Sequence, residues 1–301
     1  MKPITSFSEL TTYVTSSDSR KRLAVANALD SHTLEAVMRS VETGFIEAFL
    51  VGDRNGIEEQ LAAFKPSPFV HIVNVTDSYE ATLEAVRMVR HGECDILMKG
   101  LVNTDVILRA VLDKEKGLHS PGNVLAFNAG LKIPNYHKML FFTDPAVIPD
   151  PNKEQRIATI RYAVHTAHRF GIPNPKVALI HATEKPSPKI RYMQDYVDIM
   201  EMYRNGEFPD CIIDGPVDIF LALDKERGAI KHIPTPILGD ADILIFPDFD
   251  AANVFYKGVS VFANAEMAGL LYGTDKPVVI TSRSESTDSK FYSICMACVL
   301  V

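Results

Sequence analysis

Along this chain, short and nearly continuous apolar runs alternate with segments of helical spacing. The clearest runs are Leu23–Ala26, Ala48–Val51, Phe69–Val73, Asp95–Met98, Met139–Phe142, Val177–Ile180, Ile243–Phe246 and Pro277–Ile280. A strand with one wet face alternates apolar and polar residues; these runs do not, so they predict strands covered on both faces. Helices are predicted between them over Ser31–Thr43, Ser78–His91, Thr104–Lys116, Glu154–Phe170 and Asp288–Val299. In Glu154–Phe170, Ile157, Ile160, Ala163, Val164 and Ala167 share one face, and Gly171 and Pro173 supply the stop. The pattern as a whole predicts a layered α/β protein with largely parallel sheets.

A chain of 301 residues exceeds what one core usually holds, and the proline-marked stretch Thr143–Pro151 is the expected boundary between two α/β domains. The composition, 47% hydrophobic and 23% charged, is that of a globular protein. No apolar run approaches the roughly 18 residues of a membrane span, so no membrane partner is expected. Met1–Ser6 lacks a charged segment leading into an apolar one, which argues against secretion. Cys94, Cys211, Cys295 and Cys298 are too scattered for a disulfide framework and suit a reducing compartment, so the cytoplasm is expected. A net charge of −7 excludes a broad nucleic-acid surface but leaves room for anionic small ligands.

In open parallel sheets ligands bind beyond the carboxyl ends of strands. Three loops carry useful chemistry there. The run Asp95–Met98 leads into Lys99, Gly100, Asn103 and Thr104, where glycine permits close approach, lysine brings charge and a helix opens with free amides for an anion. A plain strand–turn–helix with an exposed lysine would read the same way. After Ile243–Phe246 come Asp248, Asp250 and Asn253, then Lys257, with Asp240 and Asp242 upstream. These acids are expected to border a strand, cap a helix and face water rather than hold a metal. The run Pro277–Ile280 delivers Ser282, Arg283, Glu285 and Asp288 into one strand-to-helix turn. Arginine suits phosphate, serine can donate to an oxyanion, and a carboxylate can take a proton. Ser284, Ser286 or Thr287 capping the last helix is the plainer reading, but it gives no reason for Arg283.

Weaker signals point to structure. Cys295–Cys298 is formally C-x-x-C but lies inside an apolar helix, where packing is expected. Gly52–Gly56 lacks the full dinucleotide spacing and is expected to be a turn. His165 and His168 lack a carboxylate or thiol partner at ligand spacing, so no metal pair is predicted.

With these segments assembled, the chain resembles the phosphate acetyl/butyryl transferase family over nearly its whole length, and most of all its butyryl branch. The matching signatures are Leu97–Gly100, Ala110–Leu118, Phe142–Asp144, Asp214–Pro216, Gly239–Leu244, Pro247-Asp248 leading to Asn253 and Tyr256-Lys257, and Thr281–Arg283. The resemblance implies a two-domain isocitrate/isopropylmalate dehydrogenase-like fold with an interdomain cleft. Residues 1–145 and 275–301 would form the first domain and 146–274 the second. It also implies exchange of a short acyl group between coenzyme A and phosphate, with coenzyme A as substrate, no further cofactor or metal, and a homo-oligomer.

Ser282 and Arg283 match the family's active-site pair. Its catalytic aspartate, placed by ungapped spacing, falls on Ser289 with Asp288 one position short. Glu285 stands where butyryl-type relatives have aspartate, so the base is open between Asp288 and Glu285. His119 replaces a common arginine, and Ala252 stands where the family has glycine before Asn253. Lys99, Gly100, Asn103, Thr104, His119, Asp248, Asn253 and Lys257 are the expected substrate contacts. Two other readings are a non-catalytic acyl-CoA binding protein and a metal-dependent decarboxylating dehydrogenase of the same fold.

Overall fold

A computed structural model describes residues 2–17, 19–282 and 285–301. In chain order the first elements are α1 (Phe7–Thr15), β1 (Lys21–Ala26), α2 (Ser31–Thr43), β2 (Ile46–Gly52), α3 (Arg54–Leu61), β3 (Val70–Asn74), α4 (Ser78–Arg90), β4 (Ile96–Lys99) and α5 (Thr104–Leu112). Then come β5 (Ala126–Lys132), β6 (Leu140–Thr143), α6 (Lys153–Arg169), β7 (Lys176–Ile180), α7 (Met193–Arg204), β8 (Ile212–Val217), α8 (Ile219–Leu223), α9 (Lys225–Ile230), β9 (Ile243–Ile245) and α10 (Phe249–Ala263). The chain ends with β10 (Glu266–Tyr272), β11 (Val278–Val279) and α11 (Thr287–Leu300).

Two compact units arise. One comprises residues 7–125 and 268–301, the other residues 1–6 and 126–267. In the first, the strand order is β3-β2-β1-β4-β11-β10, with β10 antiparallel to β11 and the other pairs parallel. In the second it is β5-β6-β9-β7-β8, with β5 antiparallel to β6 and the rest parallel. The apolar runs became strands, most of them covered on both faces as expected, but β3 lies at the sheet edge and none of its residues is fully buried. Leu23–Ala26 and Ile96–Met98 are fully buried between helices on either face.

Local chemistry sets the helix limits. Asp30 caps α2 by accepting from the Thr33 amide, and Gly44 ends it in the left-handed region at φ 102°. Asn152 and Gln155 form a reciprocal capping box on α6. The helix predicted to reach Lys116 stops at Leu112, because the Asp113 carboxylate accepts from the Glu115 and Lys116 amides at 2.9 and 2.7 Å and turns the chain away. The segment Gly52–Gly56, expected to be a turn, instead opens α3 with Asp53 as its cap.

The four cysteines are free and buried. The C-x-x-C of α11 lies among core side chains, and burial pushes the Cys94 and Cys295 thiols up to about 12. No helix among the described residues is long and apolar enough to cross a membrane.

Candidate functional site

In the unit formed by residues 7–125 and 268–301, the chain steps from β1 through β2 to β3 and then crosses back to lay β4 on the other side of β1. That reversal makes the carboxyl ends of β1 and β4 a topological switch point, the place where doubly wound sheets hold ligands. The two ends are stitched together. The Gly100 amide donates to Ala26 O at 2.9 Å and the Leu101 amide to Asn27 O at 2.8 Å. Asn27 adopts a left-handed φ of 52° and donates from Nδ2 to Ser78 Oγ at 3.1 Å and to Leu101 O.

Lys99, the last residue of β4, is buried, and its Nζ donates to Gly100 O at 3.3 Å. An ammonium in that position supplies positive charge at the strand end. Asn103 and Thr104 are exposed at the start of α5, and the Asn103 side chain makes no capping bond. The amides of the first helical turn therefore present partial positive charge beside Lys99.

β11 lies next to β4 in the same sheet and leads into α11. Ser282 is exposed and Glu285 half-buried, and the Glu285 amide donates to Ser282 O at 3.2 Å. Ser286 caps α11, accepting from the Ser289 amide at 3.1 Å. The two carboxylates that the sequence left as alternatives occupy different settings. Asp288 pairs with Arg39 of α2 at 2.5 Å, the two side chains being 59% and 44% exposed. Burial pushes the ammonium of the buried Lys290 down in pKa, and the charges of Asp30 and Glu285 hold it up in part. Arg283 lies outside the described residues.

His119 belongs to a separate loop that folds against residues 274 and 275. Its backbone bridges Thr274, its ring Nε2 sits 2.9 Å from Asn123 O, and Ser120 donates to Asp275. Lys290, Asn27 and Asp30 were not anticipated. Asn27 carried a readable signal, a polar residue directly after the apolar run Leu23–Ala26. Lys290 carried less, a lone cation at the start of the apolar face of α11.

In the unit of residues 126–267, Asp248 caps α10 by accepting from the Ala251 amide at 2.9 Å, as expected for an acid at a helix start. Asn253 donates to Pro145 O at 2.9 Å, pinning the turn after β6. That turn is also held by Asp144, which accepts from the Phe127, Ala146 and Val147 amides at 2.9, 2.8 and 2.8 Å while burial pushes its carboxyl pKa up. Lys257 is exposed, its ammonium 5.8 Å from the Tyr256 ring centroid.

Asp240 and Asp242 do not simply face water. Lys138 bridges both at 2.9 and 2.7 Å, Lys176 reaches Asp240 at 3.1 Å, and Asp242 is buried. Among the described residues no group of three His, Cys, Asp or Glu side chains is arranged to hold a metal. A cavity of about 230 Å³ at the start of α6 is lined by none of the site residues expected from the sequence.

A buried lysine, a helix N-terminus and an exposed serine beside a carboxylate, set on adjacent strand ends, suit an anionic acyl substrate. Residues 70–298 match the family described as Phosphate acetyl/butaryl transferase. The chain is 37% identical over 300 residues to the phosphate butyryltransferase of Clostridium acetobutylicum, covering 99% of this chain and 98% of that one. It is 35% identical over 279 residues to the phosphate acetyltransferase of Thermotoga maritima, covering 93% and 95%. A branched-chain phosphotransacylase from Enterococcus faecalis V583 superposes with a TM-score of 0.82 at 29% identity, over 93% of this chain and 99% of that one. The chain belongs to the phosphate acetyl/butyryl transferase family and is an enzyme of the phosphate acyltransferase class.

Proposed function

We propose that this enzyme interconverts a short-chain acyl-CoA plus phosphate with acyl phosphate plus coenzyme A, butyryl, acetyl, propionyl or a branched group being carried. The observation that supports this most is the meeting of the Lys99 and Ser282 strand ends on adjacent strands of one sheet. In the direction of acyl-CoA synthesis, the coenzyme A thiol attacks the carbonyl carbon of the acyl phosphate. A free thiol titrates near 8.5, so at neutral pH a base must take its proton.

Glu285 suits that role better than Asp288, whose carboxylate is engaged by Arg39 in solvent. Ser282 donates to the tetrahedral oxyanion, and the carbon–oxygen bond to phosphate then breaks. Arg283 and Lys99 balance the charge of the departing phosphate, and the α5 amides, Asn103 and Thr104 follow Lys99 on the chain. Direct attack needs no acyl-enzyme, because both reactants are held in place. Coenzyme A is a substrate, and arginine and lysine supply the positive charge that a metal otherwise would. His119, Asp248, Asn253 and Lys257 remain candidates for substrate contact.

The finer fold assignment, a two-domain isocitrate/isopropylmalate dehydrogenase-like arrangement, is part of this proposal. Two compact units, each holding a run of largely parallel strands, support it. Cytoplasmic residence fits four buried, free thiols. The deciding experiment is phosphate-dependent release of coenzyme A from acetyl-, propionyl-, butyryl- and isobutyryl-CoA, with and without EDTA. EDTA-insensitive release is expected. Silence on every acyl-CoA, with coenzyme A still bound, would leave a binding protein instead.

Self-association is proposed as well. α10 leaves Val254, Val261 and Phe262 exposed by 71%, 72% and 90%; Val254 and Val261 form a stripe opposite the residues it packs inward, and Phe262 stands at the helix end. A second copy of the chain is the proposed cover. Sedimentation should give a mass above the 33.4 kDa of one chain, and Phe262→Glu should shift it toward that value. A wild-type monomer would discard this assignment.

A further inference from the structure

We infer that Lys290 is a positioning residue for the Ser282 loop: its buried ammonium holds the Ser282 carbonyl and ties it to the turn that follows β1. The inference rests on the reading of Ser282 as part of the reaction site.

Lys290 lies on the first turns of α11 and is only 1% exposed. Its Nζ donates to Ser282 O at 3.1 Å, with Asp30 Oδ2 3.9 Å away. This is a poor arrangement for stability alone. Asp30 is already occupied as the cap of α2, accepting from the Thr33 amide and hydroxyl, so it is not a close ion-pair partner. Burying an ammonium against a neutral carbonyl and a shared carboxylate costs free energy that an apolar side chain of similar length would not.

What methionine cannot do is hold the carbonyl. Ser282 O accepts from Lys290 on one side and from the Glu285 amide on the other. Together these fix the backbone carbonyl of the residue that carries the serine hydroxyl. Two further links clamp the same end of α11 to α2: Thr287 donates to Glu35 at 3.0 Å, and Asp288 pairs with Arg39. Lys290 alone of these reaches the loop itself. Because Asp30 follows Asn27 by one short turn, the ammonium also registers the end of β11 against the end of β1, where Asn27 holds Leu101.

The test compares Lys290→Met with wild type in three readings. In the first, kcat for acyl transfer should fall about 10- to 100-fold, as expected for a misplaced reacting group, with KM for acyl-CoA little changed and the melting temperature unchanged or raised. In the second, Lys290→Met added to Ser282→Ala should slow the reaction no further, because the lysine acts through the serine. In the third, hydrogen exchange at the Glu285 amide should quicken about tenfold as its acceptor loosens. Unchanged kcat, additive losses or unchanged exchange would each overturn the inference.

The exchange reading needs no turnover. If wild type transfers no acyl group, the acyltransfer reading fails while the loop-holding role is still decided. If the methionine variant does not fold, Lys290→Gln, which keeps a shorter donor, is read the same way, with a smaller fall in kcat and a smaller rise in exchange expected.

Discussion

Replacing Gly100 by alanine is expected to cost about 1–3 kcal/mol of stability and to slow acyl transfer by about 10²-fold. A Cβ at this position would stand 2.5 Å from Asn27 O and 2.7 Å from Ala26 O. Both are backbone atoms of the neighbouring strand end, so no side-chain rotation relieves the contact. The hydrogen bonds from Gly100 and Leu101 across to β1 would have to lengthen, and the turn carrying Lys99 into α5 would move with them. Urea denaturation and initial rates on the same preparation check both halves. A variant with wild-type midpoint and wild-type kcat would show that the close crossing of the two strand ends is not needed for either.

Ser282→Ala should lower kcat by about 10²–10³-fold, the range for loss of one donor to an oxyanion. Ser282 is exposed, so its hydroxyl bears little of the packing and the melting temperature should hold. KM for acyl-CoA should change far less than kcat, because the bond is made to charge that develops during reaction. Steady-state kinetics over a range of acyl-CoA and phosphate concentrations separates the two constants. An unchanged kcat would remove the hydroxyl from the chemistry and leave Ser282 only the backbone role that Lys290 and Glu285 engage.

What could be read in advance depended on how local the cause was. Strands such as β1, β4 and β7 are buried on both faces, so each spells itself as an apolar run. β5, β8 and β10 escaped notice because Asn128 and Gly130, Asp214 to Pro216, and Gly269 interrupt theirs, residues that read as turns when isolated. The start of α10 is legible in Asp248 followed by Phe249 and Asp250, an acid capping a first turn.

For the site, the rule that ligands gather at strand carboxyl ends was enough to select Lys99, Gly100, Asn103 and Ser282. It could not separate Asp288 from Glu285. Three residues apart on the chain, they differ only in that Asp288 meets Arg39, a residue of α2 that spacing alone does not bring near. Lys290 and Asp30 were invisible for the same reason, since their link joins segments from opposite ends of the sequence.

The order of the sheet carries a cost during synthesis. β11 takes its place directly beside β4, yet residues 126–267, a compact unit of their own, are made between the two. At translation rates of about 5–20 residues per second, the edge of β4 waits on the order of ten seconds for its neighbour. An unpaired strand edge with buried-type side chains on both faces is a template for wrong pairing with other chains. The nascent protein therefore passes through a window in which a sheet destined for the interior is open on one side. Ser282, which follows β11 directly, is among the last residues made.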